Sequence, residues 1–150
     1  MTEVLFYHLQ RQPLERVLPT LLEKSLERGW RVVVQASSDE RVEALDAHLW
    51  TYRDEGFLPH GTYRESEAPQ QPVLLTIRDD NPNAAQVRFV IDGADMPVDA
   101  ESYERIVLMF DGEDEDAVST ARTRWSEAKA KGFAVTYWQA DEDGRWQRKG

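Results

Sequence analysis

At 150 residues, 41% of them apolar, the chain has enough hydrophobic material for one domain with a core and too little length for two. Its 28 Asp and Glu against 18 Lys and Arg give a formal charge of −10, which argues against a domain built mainly to hold a phosphate backbone. Cysteine is absent, so disulfides, thiolate nucleophiles and Cys-ligated zinc are excluded as well. In chain order, residues 4–9 are an apolar and aromatic run of strand length, closed by Gln10-Arg11-Gln12-Pro13. Leu14, Val17, Leu18, Leu21, Leu22 and Leu26 then repeat at steps of three and four, which predicts a helix ended by Gly29. Pro19 falls inside that pattern and is expected to kink its first turns or to move the helix start to itself. Residues 30–35 contain Val32-Val33-Val34, a strand apolar on both faces and so central in a covered sheet.

Ser37-Ser38-Asp39 is an N-cap cluster, and the helix behind it carries Val42, Leu45 and Leu49 before fading near Tyr52. Residues 53–72 read as a long loop. Strands are expected at 73–77 and 87–91, with a turn at 79–83 between them, and a buried strand at 105–110. Residues 113–131 read as a helix with an acidic first turn and basic last turns, the arrangement favoured by the helix dipole. Gly132 caps it, and residues 134–138 form a last strand. The order β-α-β-α-β-β-β-α-β implies an α/β domain over residues 1–140, with a largely parallel sheet and helices on both faces. Residues 141–150 are expected to be a polar, frayed tail. No apolar run approaches about 18 residues, the length of a membrane span, and the N-terminus does not read as a secretion signal. The expectation is a soluble, cytoplasmic domain.

The sequence lacks the usual nucleotide and metal fingerprints. The first βα turn contains no glycine, no G-x-x-x-x-G-K-[ST] occurs, and all eight glycines are isolated. No acid closes the first strand to hold magnesium, and Asp79-Asp80 beside Asn81-Pro82 is turn chemistry. His8, His48 and His60 have no ligand spacing and no carboxylate at a characteristic offset; His48 reads as a solvated helix position. No cofactor and no metal is expected. A small α/β enzyme handling a nucleotide or metabolite is the alternative reading, without a motif of its own.

Two stretches stand out. Trp50, Phe57 and Pro59 put large apolar groups at a helix end and in the adjoining loop. Such a cluster marks a partner site, unless Trp50 and Phe57 roof the core. On the last helix, Val118, Arg122, Trp125 and Lys129 share one face, with Arg124 and Lys131 nearby and Glu127 the one acid between 122 and 131. A tryptophan flanked by cations suits an acidic peptide with an apolar anchor. The competing account is a helix end carrying favourable cations, with Trp125 turned inward.

The whole chain resembles the chi subunit family of bacterial DNA polymerase III. The resemblance runs through Phe6-Tyr7-His8-Leu9 and Gly29-Trp30-Arg31-Val32-Val33-Val34. It continues with Leu45-Asp46, Leu49-Trp50, then Phe57, Pro59 and His60, and closes with Arg122, Arg124-Trp125 and Lys131-Gly132-Phe133. It implies a three-layer Rossmann-like fold without a nucleotide site, and an adaptor instead of a catalyst. It also implies two protein partners. The acidic C-terminal tail of the single-stranded-DNA-binding protein, SSB, would sit on Val118, Arg122, Trp125 and Lys129. A psi-type subunit leading to the clamp loader would sit on Trp50, Phe57 and Pro59. DNA itself would be met only indirectly. Where some relatives carry lysines on the last helix this chain has Val118 and Ser126, which implies a weaker grip on the tail.

Overall fold

A computed structural model describes residues 2–52 and 58–150. One eight-stranded sheet runs through it in the order β3-β4-β2-β5-β6-β1-β7-β8. The strands are β1 (Glu3–Leu9), β2 (Val32–Gln35), β3 (Gly61–Thr62), β4 (Val73–Thr76), β5 (Val87–Val90), β6 (Arg105–Asp111), β7 (Ala134–Ala140) and β8 (Trp146–Arg148). All pairings are parallel except that of β8 with β7. The helices are α1 (Leu14–Glu27), α2 (Asp39–Thr51) and α3 (Glu115–Ala130).

The layers follow from the handedness of parallel crossovers. From β1 the chain steps across the sheet to β2 and on to β4, and α1 and α2 cover one face. It then returns through β5 and β6 to β7, in the opposite direction, so those connections and α3 cover the other face. Side chains divide accordingly. Leu5 and Leu9 pack with Leu18, Leu22, Val42, Leu45 and Leu49 under α1 and α2. Val4 and Phe6, the alternate residues of β1, pack with Ile106, Leu108, Ala121 and Ala128 under α3. Small residues at 121 and 128 let α3 settle close to the sheet.

Several expectations need correction. Helix α1 begins at Leu14, behind Pro13, and runs through Pro19. A proline there removes the N–H that would bond the carbonyl of Glu15. His48 of α2 supplies a substitute, its Nε2 lying 2.8 Å from Glu15 O. His48 is therefore half-buried and bonded, not a solvated helix position. The loop expected over 53–72 contains the edge strand β3 and a 3-10 turn at Ala68–Gln70. The tail is not frayed. Asp141 accepts hydrogen bonds from Asp143 and Arg145, both 2.9 Å, and turns the chain back into β8. Ser38 caps α2 as expected, accepting from the Arg41 amide at 3.2 Å. Among the described residues, no helix is long and apolar enough to cross a membrane.

Candidate partner-binding surfaces

Helix α3 crosses β6, β1 and β7 with its buried stripe at Ala121 and Ala128, which leaves its flank toward β7 open. Trp125 stands on that flank, half-buried. Its ring meets Phe6 edge-on at 5.4 Å and Tyr137 at 5.8 Å, and the Lys129 ammonium lies 4.9 Å from its centroid. The ring thus turns partly into the core, as the competing account had it, and still forms part of the surface. Arg122 and Lys129 are exposed, and among the described residues no ion pair engages either. Val118 is half-buried on the same helix. Burial pushes the Tyr137 phenol above its ordinary range, and the Arg122 charge opposes that shift.

Arg124, expected to add charge here, points elsewhere. Its guanidinium binds the carbonyls of Ala94 and Gly93 and, at 3.4 Å, Asp95, so it ties α3 to the β5–β6 connection. Beyond Tyr137 lies His8, whose Nδ1 is hydrogen-bonded to the Tyr137 hydroxyl. Its Nε2 is buried and has no hydrogen-bond partner among the described residues. Gly112 makes room for this ring: a Cβ there would stand 1.9 Å from His8 Nε2. Burial lowers the His8 pKa, opposed by Asp111.

The second surface lies at the C-terminal end of α2. Trp50 is 54% exposed. Its ring rests 4.6 Å from that of His60, which is buried. His60 Nδ1 lies 2.7 Å from Leu58 O; Nε2 lies 3.2 Å from Asp46 O and 3.1 Å from Asp46 Oδ1. A carboxylate partner for His60 therefore exists, fourteen residues upstream and invisible as an offset. These bonds fasten residues 58–60 to α2 and build a platform beneath Trp50. Pro59 is half-buried within it. Phe57 lies outside the described residues.

A third region is the cleft of about 790 Å³ at the carboxyl ends of β1, β5 and β6, where open α/β sheets carry their ligands. Its charge is unsuited to a phosphate. Asp114 caps α3 with its own carboxylate, 2.9 Å from the Asp116 amide and 3.3 Å from that of Ala117, and Glu115 and Asp116 follow in the first turn. Arg41 is paired with Glu15 and with Asp92, the latter at 2.6 Å. Burial raises the Glu15 pKa, but its own backbone N–H, Arg41 and His48 outweigh that and hold it below the usual range. The helix dipole and Arg41 are already answered by the protein's own carboxylates.

A family model described as DNA polymerase III chi subunit, HolC, matches residues 1–136. The chain belongs to this family. A curated relative, the probable DNA polymerase III subunit chi of Rickettsia prowazekii (strain Madrid E), is 28% identical over 117 residues, covering 74% of this chain and 71% of the relative. Chi subunits are non-catalytic components of the polymerase III holoenzyme, so this chain works in DNA replication and among protein partners. The matched span includes Trp50 and the α3 flank; β8 falls outside it.

Sequence reasoning missed one residue that shapes the molecule. Arg88 on β5 is fully buried and engages Gln35 Oε1 (3.0 and 2.8 Å), Asp80 O (2.8 Å), Tyr103 OH (3.0 Å) and Arg78 O. Its signal in the sequence was a lone cation in the apolar run Val87 to Ile91.

Proposed function

We propose that the α3 flank of this chi-family chain binds the acidic C-terminal tail of SSB, and that the Trp50 platform binds a psi-type subunit leading to the clamp loader. One observation carries the first half. In a chain of net charge −10, two cations with no ion pair among the described residues, Arg122 and Lys129, flank a half-exposed indole. The Arg122 fork grips a carboxylate bidentately, and Trp125 offers a wall to an apolar terminal residue. The acidic remainder repels DNA, which keeps the subunit on SSB and off the strand. With Val118 and Ser126 where further cations would strengthen the grip, the contact is weak and salt-sensitive.

The test is titration of a labelled peptide, a short run of aspartates ending in phenylalanine, followed by fluorescence anisotropy. Unchanged affinity in folded Arg122→Ala and Trp125→Ala variants removes α3 from the site. For the Trp50 platform, Trp50→Ala with Phe57→Ala is expected to leave the fold intact and abolish capture of a psi-type partner. Unfolding of the double variant refutes that assignment.

A further inference from the structure

Residues 149 and 150 lie on the wall just described. Beyond β8 the Lys149 amide donates to the Tyr137 carbonyl at 2.7 Å, extending the pairing with β7 by one bond. That bond brings Gly150 over the indole: a Cβ built there would lie 3.4 Å from Trp125 Cη2 and 3.6 Å from Tyr137 Cβ. The covered part is the Cη2–Cζ2 side of the ring, the latter atom 3.7 Å from the same point.

The cover is held by the Tyr137 bond and by a local one, Arg148 Nε donating to the Gly150 carbonyl at 3.2 Å. Gly150 has no side chain, and both residues are exposed. The firm attachment of β8 is elsewhere, where the Trp146 ring meets Tyr7 edge-on at 4.8 Å on the α1 side of the sheet. Residues 149–150 can therefore lift while β8 stays paired. They also carry cationic Lys149, whose charge helps hold the Asp141 carboxyl below its ordinary range. The segment lies outside the family-matched span.

We infer that Lys149–Gly150 is a displaceable cover of the Trp125 wall, which an acidic tail must lift in order to bind. This rests on the tail-binding reading above. A covered site lowers apparent affinity by the fraction of molecules in which it is open.

The experiment compares Lys149→Pro with Lys149→Ala in the full chain. Both lack the ammonium, and only the proline lacks the amide that bonds Tyr137. The aspartate–phenylalanine peptide is expected to bind Lys149→Pro about two- to tenfold more tightly, the range set by losing one such hydrogen bond. Equal or weaker binding overturns the cover. A readout without peptide separates this from failure of the tail site. With 5-fluorotryptophan incorporated and Trp125 assigned through Trp125→Phe, the Trp125 resonance is expected to differ between the proline and alanine variants. An identical resonance overturns the cover whether or not peptide binds. A shifted resonance together with Arg122-independent binding keeps the cover and rejects the tail site.

Discussion

Trp125 and Trp50 both stand beside a helix, and the protein supports them in opposite ways. Trp125 is wedged between Phe6 and Tyr137, so its ring is part of the core under α3 and only an edge is offered outward. Trp50 is mostly outside, and its support, His60, is held by polar bonds to Asp46 and Leu58. The α3 flank adds to its aromatic two exposed cations that pair with no carboxylate among the described residues; the Trp50 platform adds an aromatic to a buried histidine. In the proposed reading the first recognises charge next to an apolar edge, the second apolar shape. An aromatic's usefulness at an interface thus depends less on its identity than on what holds it and which charges remain open beside it.

The sharpest way to break the contrast is stability. Trp125→Ala is expected to cost about 1.5–3 kcal/mol, less than the roughly 3–5 kcal/mol for a fully buried aromatic because the ring is half-exposed. Trp50→Ala is expected to cost less than about 1 kcal/mol, as for other exposed positions. Urea denaturation of both variants checks this, and equal losses would erase the distinction. Next comes affinity for the acidic peptide. Arg122→Ala should weaken it by about 1–3 kcal/mol, and Arg122→Lys should restore only part, because an ammonium lacks the planar fork. Complete rescue by lysine would show that point charge alone suffices.

Much of the fold was legible in the sequence because apolar spacing dictates it. The consecutive valines of β2, the leucine repeat of α1 and the Ser38 cap all read directly. The pieces that did not read are held by polar or long-range contacts. Strand β8 is hydrophilic and exists because the Asp141 turn aims it at the free edge of β7. Arg124 lies within the cationic stretch of α3 that suggested a peptide site, yet it bonds carbonyls of the β5–β6 connection. At the candidate sites the residue types were visible and their environments were not. Whether Trp125 faced in or out depended on Tyr137 of the following strand and on Phe6, far away in sequence.

Two smaller effects sharpen the comparison further. Raising ionic strength until the Debye length falls from about 10 Å to about 3 Å should weaken peptide binding at α3 while leaving a partner at Trp50 nearly unaffected. Parallel salt dependence at both surfaces would mean that charge dominates each. The α3 side also contains a pH-dependent element. Burial lowers the folded-state pKa of His8, so the unfolded chain binds the proton more readily. Stability should therefore decline as pH falls through the ordinary imidazole range toward the lower folded value, and His8→Gln should flatten that decline. Thermal melts of both proteins across that range measure it, and a slope unchanged by the substitution would rule His8 out as the cause.

Pro19 has a consequence for cooperativity. A helix normally keeps its carbonyls to itself; here α1 gives up one internal bond, and the carbonyl of Glu15 is taken by a ring on α2. What would have been local cohesion becomes a tie between neighbours. The two helices then have a shared reason to open or close together, as one unit of partial unfolding. Native-state hydrogen exchange is expected to give them a common opening free energy, and His48→Ala to split it. If the helices already open independently in the unaltered protein, the tie is too weak to join them.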